Sequence, residues 1–264
     1  MLPTLLNDNR LASVEWKDLL RLSRREIAKE IVLSLPWLAA SCIMAAHHWY
    51  APALLCSFFF FLTGLRQSHN AQHNTVGISR RATEWFLFFL STTMLASMHA
   101  VKYNHLQHHK HPLSEKDVEA MSAKMKWWKA MLAGPYFIVR IHTHAMRFAN
   151  RHQRRWIVIE TMVILLIILF TWLVIDVEWI TYHVVVMVIG ECFTSFFAVW
   201  TVHHDCDDVV FSRTVRGGWR TKIFYNMFYH TEHHLFPKVP TCHLPQLAER
   251  IDAVIPEIKN KTVL

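Results

Sequence analysis

The stretch WFLFFLSTTMLASMHAV, Trp85 to Val101, decides how this chain folds. It is nearly long and apolar enough to cross a membrane, which takes about 20 residues. Before it lies HNAQH, with His69 and His73. After it lies HLQHH, with His105, His108 and His109. A crossing would put these two clusters on opposite faces of the membrane. A path that lies in the interface, or dips in and returns, keeps them together. A third cluster, HTEHH, supplies His230, His233 and His234. Offsets of i,i+3 and i,i+4 put the imidazoles of a cluster on one helical face. Neutral imidazole is the commonest metal ligand. Eight of them from three segments are too many for one tetrahedral zinc and suit two metal ions sharing a site.

Four other apolar runs read as spans: about 31–48, 50–65, 156–175 and 179–200. Pro36 is expected to kink the first. The links at His47 to Pro52 and Asp176 to Glu178 carry no Lys or Arg, so all 28 basic residues lie elsewhere. Basic residues mark the cytoplasmic side. Four crossings then put both termini and all three clusters in the cytoplasm, in a bacterial inner membrane or an ER-type membrane, and 85–101 becomes interfacial. Residues 114–155 alternate Lys and Arg with Trp, Met and Leu and read as headgroup-layer helices, broken at Gly134-Pro135. Such a basic surface also suits an acidic electron carrier. The expected fold is an all-α integral membrane protein, a single domain over 1–264. Four transmembrane helices would support a cytoplasmic helical cap, including segment 201–264, that holds a histidine-rich di-metal site.

Composition agrees. The chain of 264 residues is 53% hydrophobic and only 18% charged, below the usual quarter for a soluble domain. The net charge of +8 belongs to the membrane-facing pattern, so no nucleic-acid partner is expected. Met1 to Glu30 carries acids and bases throughout, unlike a secretory signal. The five cysteines form no CxxC and no regular spacing, which argues against a disulfide framework.

The three clusters resemble the histidine boxes of the membrane fatty acid desaturase and hydroxylase superfamily. The third, YHTEHHLFPKVP at Tyr229 to Pro240, is similar to the acyl-lipid desaturase form, and FSRTVRG at Phe211 to Gly217 is similar to a stretch found upstream of that box. The resemblance covers the chain from the second span to about Arg250. It implies two non-haem irons, O2 as co-substrate and electrons from a separate carrier. That carrier would be a ferredoxin, a rubredoxin or a cytochrome-b-type protein with its reductase, since no fused haem domain and no GxGxxG is present.

The resemblance also implies a further histidine between the last span and the third box, and TVHHDCD offers His203 and His204. The expected ligands are thus His69, His73, His105, His108, His109, His203, His204, His230, His233 and His234, with no catalytic side chain beyond them. Asp205, Asp207, Asp208 and Glu232 read either as solvated acids or as groups that orient imidazoles through their free N–H. Asn226, four residues before His230, reads as a hydrogen-bond partner of a ligand if the helix continues. Glu191 lies inside the fourth span, where an unpaired carboxylate is expensive, and reads as functional or paired.

The function so implied is that of an O2-dependent di-iron fatty-acyl desaturase acting on membrane lipid or another acyl substrate. A hydroxylase or ketolase of the same superfamily, acting on carotenoid, alkane or acyl lipid, is the nearer alternative. A membrane zinc protein with no oxygenase activity is the further one.

Overall fold

The computed structural model describes residues 4–207, 210–256 and 261–262. After short 3-10 turns, α1 (Arg24–Val32) is opened by a capping box in which Ser23 and Glu26 exchange hydrogen bonds. The chain breaks at Leu33-Ser34, and α2 (Leu35–Ala46) carries Pro36 in its first turn. Proline has no N–H for the preceding turn, so the expected kink becomes a break just before it. After a tight reversal, α3 (Tyr50–Gln72) runs back against α2 and through the centre of the molecule.

The decisive stretch is not one continuous helix. α4 (Arg80–Met94) ends at Leu95, whose φ of 61° is left-handed, and α5 (Met98–Lys110) starts afresh with Ser97 as its cap. The chain turns at that point and returns to the first two histidine clusters. α6 (Trp127–Leu132) and α7 (Gly134–Phe148) follow, separated where Gly134-Pro135 predicts a break. At Gly134 a Cβ would collide with the Cys192 carbonyl, so this residue permits a backbone-to-backbone contact.

α8 (Arg151–Leu173) presents an outward apolar face, including Ile159, Met162, Leu166 and Phe170. α9 (Glu178–Glu191) bends by 41° into a π-helical turn, Ser195–Trp200, that continues as α10 (Thr201–His203). β1 (Arg213–Thr214), α11 (Gly218–Ile223), α12 (His230–Leu235), α13 (Leu244–Val254) and β2 (Lys261–Thr262) complete the described chain. β1 and β2 pair in parallel, a small exception to the all-α expectation.

The expectation of four transmembrane helices is overturned. Two helices are long and apolar enough to cross a membrane, Arg24–Ala46 and Arg151–Leu173, and a third counts if Glu178–Glu191 and Ser195–His203 form one bent span. The run at 50–65 fails because it is only the first part of α3. The same helix goes on through Arg66, Gln67, Ser68, Asn70 and Gln72, all buried inside the protein. Its apolar face packs against α2, α4 and α9. Leu54, Leu55 and Phe58 at its start stay exposed, but the apolar run gives way to those polar residues before it reaches the length of a span. With that count, a topology read from the parity of four crossings no longer follows.

Two buried polar clasps hold the site's helices. Glu30 of α1 pairs with Arg66 at 2.6 Å and accepts from Asn70 Nδ2 at 2.9 Å, beside the first histidine box. Thr241 in turn donates to Asn70 Oδ1 at 2.6 Å. On the other side, the His99 ring lies between Glu160 of α8 (2.5 Å) and Glu84 of α4 (2.9 Å) and stacks on Trp156. Lys102 completes this clasp on Glu84 at 2.7 Å.

Candidate metal centre

Nine of the ten histidines expected as ligands converge from four segments. His69 sits on the last turn of α3, and His73 caps it. α5 supplies His105, His108 and His109, α10 supplies His203, and the short α12 supplies His230, His233 and His234. They fall into two groups. His69, His73, His105, His109 and His233 form one, and His108, His203, His230 and His234 form the other. Within each group one ring nitrogen per residue lies within 4.8 Å of every other. The groups are contiguous, for the His109 and His234 rings stack with centroids 4.3 Å apart.

The tenth, His204, points elsewhere. Its ring stacks on Trp200 at 3.9 Å, and its Nδ1 bonds the Trp200 carbonyl at 2.9 Å. The helix ends at His203, so the two neighbours face different ways.

The hydrogen bonds behind the rings set which nitrogen faces inward. His108 Nδ1 meets Asp117 at 2.6 Å, His105 Nδ1 meets Glu119 at 2.8 Å, and His203 Nδ1 meets the Phe211 carbonyl at 2.9 Å. Carboxylates and carbonyls only accept, so these Nδ1 atoms carry the proton and Nε2 offers its lone pair. With both rings neutral, His108 Nε2 and His203 Nε2 then face each other at 3.1 Å with no proton to share. His230 and His234 Nε2 stand as close, at 3.0 Å. In the other group His73 and His105 Nε2 are 2.9 Å apart, His109 and His233 Nε2 are 3.0 Å apart, and the buried His69 Nε2 has no hydrogen-bond partner among the described residues. Converging lone pairs in a buried pocket repel unless a cation sits among them. The donor set therefore fits two metal ions.

Electrostatics favour the same state. Burial first, and then the neighbouring imidazoles, hold His69, His73, His109, His230, His233 and His234 well below the usual histidine range. They are neutral at pH 7, as metal ligation requires. His108 is the exception. Burial pushes it down, but the hydrogen bond and charge of Asp117 outweigh this and raise it.

A family model described as fatty acid desaturase matches residues 46–262. The chain belongs to the fatty acid desaturase family. No curated protein matches it. Family membership and the clustered histidines together give a metal-dependent oxidoreductase-like site with room for a di-metal centre.

Asp117 and Glu119 escape sequence reading, which assigns 114–155 to a basic surface. The signal was there: DVE is an acidic pair in a cationic stretch, within fifteen residues of box two. Glu232 meets Arg216 at 2.5 Å and Thr214 at 2.8 Å, which ties α12 to the FSRTVRG segment. The Asp205 side chain is exposed and lies 3.4 Å from Arg213, and Asp207 accepts from the Val210 N–H. Asp208 lies outside the described residues. Asn226 has a left-handed φ of 60° in a turn before α12 starts at His230, so it shares no helical face with that ligand.

A largely apolar cavity adjoins the histidines. His69, His105 and His230 form part of its wall, Phe137, Ile141 and Val199 line it further along, and Glu191 and Thr194 at the α9 bend also border it.

Proposed function

We propose that this chain is an O2-dependent di-iron oxidoreductase that introduces a double bond into a fatty-acyl chain. One observation carries the reading: an apolar cavity whose wall includes imidazoles of the metal centre. A hydrocarbon has no group to hydrogen-bond, so a site for it must be an apolar channel that ends at the oxidising centre. Two irons held by the nine histidines would supply activation of dioxygen and removal of hydrogen from an unactivated methylene. The chain's own residues do the remaining work. The buried imidazoles bind the metals, Asp117 and Glu119 fix their orientation, and the apolar wall excludes water and sets which methylene lies against the centre. Electrons come from a separate ferredoxin, rubredoxin or cytochrome-b-type carrier.

The test is mass spectrometry of total lipids from cells expressing the wild type or His233→Ala, with a redox partner supplied. A species lighter by two hydrogens, found only with the wild type, supports a desaturase. A species heavier by one oxygen moves the assignment to a hydroxylase. One zinc per chain, with no lipid change, would sink both.

A further inference from the structure

Glu191 is the one acid at the elbow of the α9–α10 segment. It ends α9, where the axis bends and the chain passes into the π-helical turn, a geometry that often marks functional sites. The residue is only 6% exposed and borders the apolar cavity. Thr194, also on the cavity wall, donates to Glu191 Oε2 at 3.1 Å. Glu191 Oε1 has no hydrogen-bond partner among the described residues, although it is buried. Neighbouring Ser195 Oγ is likewise buried and without a partner among them.

A carboxyl oxygen left unsatisfied in an apolar wall is expensive, whether the group is neutral or charged. Glu119 Oε2 is buried and unpartnered among the described residues too, but its other oxygen is held by His105 of the metal centre, whereas acids farther from that centre are matched. Glu30 has Arg66 and Asn70, and Glu160 has His99 and Ser97. A wall meant only for methylenes would have no use for Glu191. Its position also separates it from the chemistry. Glu191 precedes His203 by twelve positions, about 18 Å along an α-helix and less through the bend and the π-helical turn. A group bonded to Glu191 is therefore not the carbon being oxidised.

We propose that Glu191, braced by Thr194, is a specificity-determining residue that recognises a hydroxyl on the hydrocarbon substrate, remote from the oxidised carbon. A hydroxyl can donate to a carboxylate and accept from a carboxylic acid, so it satisfies Oε1 in either protonation state. The substrate class is then a hydroxylated long-chain acyl compound rather than a plain saturated one. This rests on the reading of the cavity as a hydrocarbon site.

The experiment is displacement of cis-parinaric acid from the full-length, metal-loaded protein by stearic acid and by hydroxystearic acids with the hydroxyl at successive positions. In the wild type, one positional isomer should bind roughly tenfold more tightly than stearic acid, the size of one buried hydrogen bond. Glu191→Leu should bring that ratio to near unity and leave stearic acid binding intact. Thr194→Val should reduce it in part, and serves if the leucine variant does not fold. The proposal fails if no isomer outcompetes stearic acid in the wild type, which means a trapped water satisfies Oε1. It fails equally if the preference survives both substitutions. If stearic acid itself does not displace the probe from the wild type, the hydrocarbon reading of the cavity falls, and the role of Glu191 falls with it.

Discussion

His108 Nδ1 and Asp117 Oδ2 stand 2.6 Å apart, both buried, and the contact turns His108 Nε2 toward His203 and His234. Among the described residues Asp117 has no other charged partner. Its second oxygen accepts from the Ala120 N–H, and Oδ2 also accepts from the Leu113 N–H. Burial raises its carboxyl, but the His108 contact leads the effects that together lower it. Such partners fix ring orientation and raise ligand basicity, and their loss costs about 10–100-fold in metal affinity. Asp117→Asn should therefore lose metal from the His108 group under mild chelation while the protein remains folded. Metal content after graded dialysis measures this, and retention equal to wild type would rule out the orienting role.

His203 and His204 are adjacent in sequence, but only His203 lies among the clustered imidazoles. His203→Ala removes a nitrogen 3.0 Å from His230 Nε2 and should leave one metal per chain and no turnover. His204→Ala removes only a ring stacked on Trp200, so it should retain both metals. Equal metal loss in the two variants would count against the geometry.

The His99 clasp gives a pH dependence. The hydrogen bond from His99 leads the causes that hold Glu84 down to about 2. Burial pushes His99 down, but Glu160 and Glu84 more than offset it, so His99 is raised above 6.5. A lowered carboxyl contributes stability above its ordinary value of 4.5, and this is lost as pH falls toward 2. A raised histidine contributes stability that is complete below 6.5 and is lost as pH rises through its folded value. The clasp should thus be strongest between 4.5 and 6.5. Thermal unfolding of the wild type and His99→Gln from mildly acid to alkaline pH should show their difference shrinking as pH rises. A constant difference would mean the proton on His99 contributes nothing.

Beside box one, Glu30 and Arg66 form an ion pair with both side chains nearly inaccessible. Removing one partner of such a pair strands a buried charge and costs about 3–5 kcal/mol, whereas replacing both with apolar groups is often near neutral. Arg66→Met should lower the unfolding temperature sharply, and Glu30→Leu added to it should recover much of the loss. Asn70 also bonds Glu30, so the recovery should be incomplete. Denaturation of the three variants in detergent tests the order.

The histidine clusters were legible in the sequence because ligand spacing is a local property: a helix carries it wherever the helix lies. The break at Leu95 was not legible as such: the sequence only requires that Trp85 to Val101 not separate two clusters that share metals. The number of crossings was not legible. Hydropathy reports what a side chain prefers, and the start of α3 prefers apolar surroundings whether lipid or protein supplies them. Asp117 and Glu119 were hidden because their partners come from α5, and no sequence period links a loop acid to a helix histidine. Glu191 stood out as an acid in an apolar run, but its place beside the cavity depends on the bend after α9.

Gly134, facing the elbow after α9, and Gly190, facing α3, make opposite cases. A Cβ on Gly134 would strike the Cys192 carbonyl, so α7, which carries Phe137 and Ile141 of the cavity wall, or the elbow with Glu191 and Thr194 must shift. Gly134→Ala should cost at least the upper end of the about 1–3 kcal/mol typical of overpacking, and should weaken acyl-chain binding as the cavity wall shifts. A Cβ on Gly190 would sit 3.5 Å from the Phe61 ring, an ordinary contact, inside a regular helix. Gly190→Ala should therefore be neutral or stabilising by up to about 1 kcal/mol, because alanine loses less backbone freedom on folding than glycine. Thermal unfolding of the two variants side by side checks both signs. A stable Gly134→Ala protein would show that α7 and the α9 elbow do not meet backbone to backbone.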